Sequence, residues 1–414
     1  MARDVRIVSQ LLPTDHVTVV GAGVAGWRFV ESLRREGFEG DITLVGEEPH
    51  APYDRPPLSK QVLSGKWDVT KATLATPELL DEAGVTLRLG VRATKLDVAT
   101  TTVDLSDGSS VTGTHVVLAI GTRARALSVP SGESLPTLRN HDDVTRLTAT
   151  LDSLDQGSVV VVIGGGFVGA EVATSLKSRG FTPLVLEVAD RPLLSVLGED
   201  VSKWLASLGH DAGIEVRTNQ KISDVRALRG GFVVELKDGS RVEASAVLAA
   251  VGSSLDLAWL EGSGLTLDDG VVVDLDLQAA PRVAAIGDVA RFSWTSTVSE
   301  ELVRIEHWQV ATDHAAHLAH YWMSGESPAP MVPYFWSDQY GKKIQMLGHP
   351  HPEDDVVRVS GSPEESKWLA LYSRDGVVTG FVALSHPRAL MLAKPLLERK
   401  TLLVEALAST LWEA

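Results

Sequence analysis

The stretch Val159-Val-Val-Val-Ile163-Gly164-Gly-Gly166-Phe167-Val168-Gly169 decides the fold of this chain. An apolar run of this length is typical of a buried strand, and the G-x-G-x-x-G spacing after it is typical of a turn into a helix. In such a turn the first glycine allows the bend, the second lets the backbone approach a pyrophosphate, and the third lets helix and strand pack closely. We therefore predict a strand–turn–helix unit whose helix covers Ala170–Arg179 and whose first N–H groups bind phosphate.

The same pattern occurs a second time, near the start of the chain. Val17–Val20 leads into Gly21-Ala-Gly23-Val-Ala25-Gly26, and a helix-like segment follows at Trp27–Glu36. Each helix is followed by a second apolar run, Ile42–Val45 in this copy and Leu184–Leu186 in the other. Two copies in the same context predict two Rossmann-type nucleotide-binding units in an α/β protein with parallel sheets.

An acidic residue follows the second strand of each unit, Glu47 in the first and Glu187 in the second. Each lies about 20 residues beyond the last glycine, the separation expected for a contact with ribose hydroxyls. A carboxylate there would also repel a 2′-phosphate, so Glu187 predicts NADH over NADPH as the substrate. Arg191 lies nearby and is expected to be a solvated or structural arginine.

Composition narrows the class of protein. The chain has 414 residues, of which 44% are hydrophobic and 22% charged, so we expect two or three domains. A formal net charge of −16 disfavours binding to nucleic acid or anionic membranes. The absence of cysteine removes disulfides, thiolate metal sites, cysteine-ligated iron–sulfur clusters and cysteine nucleophiles. No run is long enough for a membrane span, and Arg3 and Arg6 lie in an N-terminal stretch without an export signal, so we expect a cytoplasmic protein.

Several further segments carry a resemblance to a known family. They are Asp54-Arg-Pro-Pro-Leu-Ser-Lys60, Leu118-Ala-Ile-Gly-Thr122, Val283-Ala-Ala-Ile-Gly-Asp288, Glu306-His-Trp308 and Tyr334-Phe-Trp-Ser-Asp-Gln-Tyr340. With the glycine units, they make nearly the whole chain similar to the NADH-dependent ferredoxin reductases of bacterial oxygenase systems, the putidaredoxin reductase-like flavoproteins. Ile120 departs from the threonine usual in the family's Ala-Thr-Gly turn, and we expect only a packing difference.

The resemblance implies a glutathione-reductase-like α/β fold with two Rossmann-type domains and a C-terminal α+β interface domain. The FAD-binding domain would be discontinuous, formed by residues 1–123 and 249–327. The NADH-binding domain would be residues 124–248, and the interface domain residues 328–414. The last part is expected to end in a helical segment, Ala389–Leu411.

The resemblance also implies roles for particular residues. Lys60 would lie near the isoalloxazine ring, where a cation stabilises reduced flavin. Phe167 would cover the flavin until nicotinamide displaces it, and Glu171 would lie close to the nicotinamide. No obligatory side-chain acid or base is expected. The implied FAD-binding residues are Gly21, Gly23, Ala25, Gly26, Glu47, Arg55, Lys60, Ala93, Arg139, Asp288 and Trp308, and the implied NAD-binding residues are Gly164, Gly166, Phe167, Val168, Gly169, Glu171, Glu187 and Gly252.

The implied function is hydride transfer from NADH to FAD and then single-electron transfer to a 2Fe–2S ferredoxin or a rubredoxin that serves a Rieske or haem oxygenase. Two alternatives stay open: a reductase of quinones or other small acceptors, and a non-enzymatic redox protein like apoptosis-inducing factor. The chain could be a monomer or a homodimer. A basic docking patch for the acceptor is expected among Lys342, Lys343, Arg388, Lys394, Arg399 and Lys400.

Two other patterns are expected to carry no chemistry. His314, His317 and His320 recur at a spacing of three, which turns them progressively off one helix face, and we expect no metal site. The acidic pairs Asp142-Asp143, Asp268-Asp269 and Asp354-Asp355 are expected to be solvated side chains in turns.

Overall fold

The computed structural model describes residues 10–294 and 301–413, without the side chains of residues 301 and 413. The N-terminal stretch with Arg3 and Arg6, in which we predict no export signal, lies outside the described residues. The helices are α1 (Val24–Arg35), α2 (Pro77–Ala83), α3 (His141–Asp152), α4 (Phe167–Ser178), α5 (Leu194–Leu205), α6 (Leu208–Asp211), α7 (Trp308–Ser324), α8 (Pro387–Glu398) and α9 (Leu403–Leu407). Leu58–Val62 forms a short π-helical segment.

The strands, in chain order, are β1 (His16–Val20), β2 (Asp41–Gly46), β3 (Val85–Leu89), β4 (Ala93–Asp97), β5 (Thr102–Leu105), β6 (Ser110–Thr112), β7 (His115–Leu118), β8 (Arg123–Ala124), β9 (Val159–Ile163), β10 (Thr182–Leu186), β11 (Glu215–Arg217), β12 (Ile222–Leu228), β13 (Gly231–Leu236), β14 (Arg241–Ala244), β15 (Ala246–Ala249), β16 (Ser253–Ser254), β17 (Val271–Val272), β18 (Gln278–Ala280), β19 (Val283–Ala285), β20 (Ala290–Trp294), β21 (Glu301–Val303), β22 (Tyr334–Gln339), β23 (Lys342–Gly348), β24 (Asp355–Ser362), β25 (Lys367–Arg374) and β26 (Val377–Leu384).

The first glycine unit forms the middle of a six-stranded sheet. Its strand order is β18-β19-β7-β1-β2-β3, and it is parallel except for the β18–β19 edge. Successive residues from Val17 to Val20 are all buried, so both faces of β1 are covered, as is usual for parallel sheets. Helices α1 and α7 contact each other, and their apolar residues belong to the core of this sheet.

The second glycine unit forms a four-stranded parallel sheet with the order β11-β10-β9-β15. Val160 and Val162 of β9 share a core with residues of α3 and α4. Val161 and Ile163 point to the opposite face and share a core with the antiparallel sheet β12-β13-β14. The strand is therefore apolar throughout because each of its faces is covered by a different layer.

The chain passes between the two sheets twice, and the two passages pair with each other. β8 and β16 form a two-stranded antiparallel ribbon in which Arg123 pairs with Ser254 and Ala124 with Ser253. These positions lie beside the predicted domain limits at 123/124 and 248/249. The exact division into domains stays a prediction.

The last part of the chain forms a five-stranded antiparallel sheet with the order β22-β23-β26-β25-β24, and α8 contacts β23 and β26. The predicted helical segment over Ala389–Leu411 is present, but it is divided into α8, α9 and a final short 3-10 helix. Helix α8 ends at Glu398, Lys400 takes a positive φ of 52°, and Leu402 forms a bridge with Val377 before α9 begins. Pairing with the start of the central strand β26 therefore interrupts the helix.

The glycine units differ from expectation in one respect. Helices α1 and α4 begin at Val24 and Phe167, three residues before the predicted starts at Trp27 and Ala170. The third glycine of each motif thus lies inside the first helical turn.

The predicted fold class is confirmed. Within the described ranges, no helix has both the length and the apolar character needed to cross a bilayer.

Candidate functional site

The three glycines of the first loop do three different jobs. Gly21 has a φ of +118°, and a Cβ atom there would lie 2.2 Å from the carbonyl oxygen of Ala119 on the neighbouring strand connection. A Cβ on Gly26 would lie 2.0 Å from the carbonyl oxygen of Gly21, so helix and turn can pack only without a side chain. A Cβ on Gly23 would meet no atom within 4 Å. The middle glycine therefore borders open space at the N-terminus of α1.

The second loop repeats this geometry. A Cβ on Gly164, which has a φ of +110°, would lie 2.3 Å from the carbonyl oxygen of Ala250, and one on Gly169 would lie 2.0 Å from that of Gly164. A Cβ on Gly166 would meet nothing within 4 Å. Val168, one residue before the third glycine, is 44% exposed.

Both loops fit a dinucleotide pyrophosphate. Gly23 and Gly166 are the N-cap residues of α1 and α4, and neither helix has a side-chain hydrogen bond at its N-cap among the described residues. The first N–H groups of each helix thus remain available beside an open glycine, at the positive end of the helix dipole. Phosphate oxygens are the ligands that such a cradle suits.

The two ribose-contact candidates have different surroundings. Glu187 Oε2 accepts a hydrogen bond of 2.6 Å from the Gly165 N–H, and Oε1 accepts one of 2.8 Å from the Ala189 N–H. Its carboxylate is therefore held against the second glycine loop. Glu47 instead forms an ion pair with Arg123, and both side chains are about half exposed. Arg191, near the second unit, is paired with Glu199.

The Val283–Asp288 segment packs against the first glycine loop. Gly287 has a φ of +70°, and a Cβ there would lie 3.0 Å from the Ala25 Cβ. The next residue, Asp288, accepts a hydrogen bond of 3.1 Å from Arg139 Nη2, and Arg139 Nε donates to the Thr122 carbonyl at 3.1 Å. Burial raises the pKa of Asp288, and the charge of Arg139 opposes that rise. The structure thus brings together Ala25, Arg139 and Asp288.

Two other predicted flavin-side residues are fixed by polar contacts. Trp308 Nε1 donates a hydrogen bond of 2.7 Å to Asp54 Oδ1, which ties the start of α7 to the Asp54–Lys60 segment. Burial raises the pKa of Asp54, and the indole hydrogen bond opposes the rise. Arg55 donates to the Arg139 carbonyl at 2.9 Å and to Glu48 Oε1 at 2.8 Å.

Glu171 forms polar contacts with two other parts of the chain. It is buried, and its Oε2 lies 2.8 Å from Lys60 Nζ and accepts a hydrogen bond of 2.6 Å from Ser59. Its other oxygen, Oε1, accepts a hydrogen bond of 2.6 Å from Ser337 on β22. The carboxylate therefore joins α4 of the second glycine unit to the Asp54–Lys60 segment and to the C-terminal sheet. The sequence analysis identified Lys60 and Glu171 but missed Ser59 and Ser337.

An aromatic contact lies on the same face of α4. Phe167 and Glu171 are one helical turn apart, and they meet Phe335 and Ser337, which share one face of β22. The Phe167 and Phe335 rings have centroids 4.5 Å apart, and His307 lies 4.7 Å from the Phe335 ring on another side. Phe335 was not singled out from the sequence.

Two residues predicted to bind the cofactors, Ala93 and Gly252, have their described contacts elsewhere in the fold. Ala93 is buried in β4, opposite Leu105, and packs in the core of the six-stranded sheet. Gly252 has a φ of +96°, open space where a Cβ would lie, and a carbonyl that accepts the Arg125 N–H at 2.9 Å. Their assigned roles stay predictions.

The three histidines at a spacing of three have three separate partners. His314 Nδ1 accepts the Gly287 N–H at 3.2 Å, His317 pairs with Asp276, and His320 pairs with Glu36.

The expectation that the acidic pairs are solvated side chains in turns is wrong in two places. Asp143 lies in the first turn of α3 and forms its capping box with Asn140. Asp354 is buried and accepts hydrogen bonds from Arg374 and Thr379.

The basic residues predicted to form a docking patch fall into two groups. Lys342 and Lys343 begin β23 and line an open groove of about 480 Å³ that also includes Pro387, next to Arg388. Lys394 and the pair at 399–400 lie toward the other end of α8, a helix whose 12 residues span about 18 Å. The docking patch stays a prediction, and Lys343 and Lys394 already have acidic neighbours, Asp338 and Glu398.

Two glycine loops that fit dinucleotides, with a buried lysine–glutamate pair joining the helix of the second loop to the Asp54–Lys60 segment, are typical of an oxidoreductase that binds two dinucleotides. Residues 15–315 match the family described as pyridine nucleotide-disulphide oxidoreductase, and residues 334–409 match the reductase C-terminal family. The chain belongs to the pyridine nucleotide-disulphide oxidoreductase family, and the resemblance inferred from the sequence is confirmed. Membership implies FAD and NAD(H) as cofactors, in agreement with the prediction.

Several characterised proteins are similar over nearly the whole length. The ferredoxin–NAD(+) reductase subunit of the benzene 1,2-dioxygenase system of Pseudomonas putida is 34% identical over 94% of each chain. Rhodocoxin reductase of Rhodococcus erythropolis is 34% identical over 92% of this chain and 89% of its own. The crystal structure of the covalent putidaredoxin reductase–putidaredoxin complex matches with a TM-score of 0.88 and 29% identity over 96% of each chain.

Proposed function

We propose that the chain is an FAD-dependent NADH:ferredoxin reductase, which passes single electrons to a 2Fe–2S ferredoxin or a rubredoxin that feeds a Rieske or haem oxygenase. The observation that carries the proposal is the contact at Glu171, where the helix of the second glycine loop meets Lys60 of the Asp54–Lys60 segment and Ser337 of the C-terminal sheet. The relatives that are named as reductases of ferredoxin-type partners support the choice of acceptor.

We assign the first glycine loop to FAD and the second to NADH. The FAD-binding domain would be residues 1–123 and 249–327, the NADH-binding domain residues 124–248, and the interface domain residues 328–414. The packing of Gly287 against Ala25 supports the first assignment, because it brings together the first glycine loop and the Val283–Asp288 segment, which both contain predicted FAD-binding residues. The attachment of Glu187 to the second loop supports the second, since a carboxylate fixed there favours a free 2′-hydroxyl.

When bound, FAD would accept a hydride from NADH and pass the electrons on one at a time. The chain's own residues would hold and tune the cofactors. Lys60 would supply positive charge near the flavin ring, and Glu171 would fix the Lys60 ammonium while bordering the nicotinamide position. Phe167 would occupy that position until NADH arrives. No side chain is assigned as a proton donor or acceptor.

An anaerobic titration of the FAD-loaded protein tests this proposal. About one equivalent of NADH should bleach the flavin absorbance, and NADPH should act far more weakly. A cysteine-free chain cannot store the electrons on thiols, so they must pass from the flavin to an external acceptor. Because the proposed acceptor is a ferredoxin, reduction of cytochrome c should depend on added ferredoxin. A protein that holds no flavin, or whose flavin ignores NADH, would rule out the proposed function.

The same assays separate the alternatives. Fast turnover with quinones without ferredoxin would favour a small-acceptor reductase. Slow turnover with every acceptor, together with a long-lived reduced complex, would favour a redox protein like apoptosis-inducing factor. We further propose a cytoplasmic location, where NADH is regenerated, and fractionation of cells with an antibody against the chain would test it.

A further inference from the structure

Two histidines and an aspartate from distant parts of the sequence meet at the surface. His50 follows β2, whereas His141 and Asp142 begin α3. His50 Nε2 lies 2.7 Å from Asp142 Oδ1, and His141 Nδ1 lies 3.5 Å from the same oxygen. The three potential ligand atoms all lie within 4.8 Å of one another. The imidazole rings are stacked, with centroids 3.9 Å apart.

The His141–Asp142 separation is close to that between two ligands of a tetrahedral metal ion, whereas His50 and Asp142 are joined by a hydrogen bond that a bound ion would replace. Bonds of about 2.0–2.1 Å to a tetrahedral Zn²⁺ place neighbouring ligand atoms about 3.3 Å apart. The measured distances of 2.7 and 3.5 Å lie on either side of that value. The Nδ1 atom of His141 is also buried and has no hydrogen-bond partner among the described residues. An imidazole nitrogen in that state is a candidate for a metal bond.

We propose that His50, His141 and Asp142 form a binding site for a divalent transition metal of the Zn²⁺ type, with solvent in the fourth position. Two imidazoles and one carboxylate are a donor set that suits Zn²⁺. The side chains are 28%, 24% and 50% exposed, so an ion can reach the site from solvent. The proposal departs from our sequence-based expectation of no metal, and it is independent of the proposed electron-transfer function.

The site is held in place by buried neighbours. The His141 backbone N–H donates to Tyr53 Oη at 3.0 Å, and Tyr53 Oη donates to Glu48 Oε2 at 2.6 Å. Tyr53 is buried, and its ring packs edge-on against the His141 ring. Asn140 caps the same helix end. Because these contacts position the site before an ion binds, the loss of conformational entropy on binding would be small.

A bound ion would join two segments that approach the flavin side of the molecule. His50 precedes the Asp54–Lys60 segment, and His141 follows Arg139, which contacts Asp288. Without an ion, the partly exposed His50–Asp142 pair contributes little to stability. Loss of His50 should therefore change stability in the presence of Zn²⁺ and hardly at all in its absence.

The test is a zinc titration of tag-free, FAD-loaded protein that has been stripped with EDTA. Zn²⁺ is added in competition with a chelator whose fluorescence lies outside flavin absorption. One equivalent should bind, and His50→Ala, His141→Ala and Asp142→Asn should each weaken binding by at least about tenfold, since even a supporting residue costs about 10–100-fold.

The control is His210→Ala, which removes an exposed histidine of α6 and should leave zinc affinity unchanged. Circular dichroism and flavin content should show that each variant folds, and Asp142→Asn serves if a histidine variant does not. Zinc should also raise the melting temperature of the wild type but not of His50→Ala. Absence of stoichiometric binding, or equal affinity in the wild type and the His50 and His141 variants, would overturn the proposal.

Discussion

Replacing Lys60 by methionine should lower the free energy of unfolding by about 3–5 kcal/mol. In the native chain Lys60 Nζ lies 2.8 Å from Glu171 Oε2, and the two side chains are only 14% and 7% exposed. Removing the ammonium leaves a buried carboxylate with hydroxyl donors alone, and an uncompensated buried charge makes such a substitution costly. Methionine keeps an unbranched side chain of similar shape, so a cavity contributes little to the expected loss.

The double variant Lys60→Met/Glu171→Gln should be at least about 1 kcal/mol more stable than Lys60→Met alone, because it contains no unpaired buried charge. Guanidinium denaturation of FAD-loaded protein at pH 7, followed by far-UV circular dichroism, measures both variants and the single variant Glu171→Gln. The matched control is Lys177→Met, the same substitution at an exposed position of α4, which should change stability by no more than about 0.5 kcal/mol. A Lys60→Met variant as stable as that control, or a double variant whose loss equals the sum of the single losses, would refute the reasoning.

Three further predictions concern the nucleotide site and pH. Gly166→Val should keep its flavin but require about 100-fold more NADH for reduction, because the new side chain enters the open space before α4; flavin spectra during titration measure this. Glu187→Gln should lower the ratio of kcat/KM for NADH to that for NADPH about fivefold or more, since a charge repulsion of at least about 1 kcal/mol is lost while the amide still accepts the Gly165 N–H. Burial lowers the pKa of His314 to about 3, so the unfolded chain binds a proton there before the folded chain does. Its contribution should make stability fall by about 1.4 kcal/mol per unit as pH drops below about 6.5, and His314→Gln should remove that slope in denaturation measured across this range.

The nucleotide units could be predicted because their signals are local. Each combines an apolar strand, fixed glycine spacing and a following acid within a few dozen residues, and the backbone itself requires those glycines. Gly26 and Gly169, for example, would each place a Cβ atom 2.0 Å from a carbonyl oxygen. The starts of α1 and α4 were misplaced because the glycines were treated as part of the turn, whereas close packing puts them inside the helix.

The missed residues depend on contacts between distant parts of the chain. Ser59 and Ser337 are separated from Glu171 by 112 and 166 residues, and a serine hydroxyl leaves no periodic signal in a sequence. Asp354 looked like a solvated turn residue because its partners, Arg374 and Thr379, come from later strands. The break between α8 and α9 has the same origin, since it results from pairing with β26 rather than from local propensity.

The C-terminal sheet is mechanically connected to the predicted nicotinamide position. Phe167 and Glu171 lie one turn apart on α4, and they contact Phe335 and Ser337, which alternate with Trp336 along β22. A movement of the Phe167 ring, as predicted on NADH binding, would break a ring contact on the same strand that donates a hydrogen bond to Glu171. The opposite side of β22 contacts Trp308, a predicted FAD-binding residue, through Trp336, whose ring centroid lies 5.9 Å from that of Trp308. A single strand thus contacts both predicted cofactor positions, so a rearrangement at one of them can be transmitted through packed side chains to the other and to the C-terminal domain.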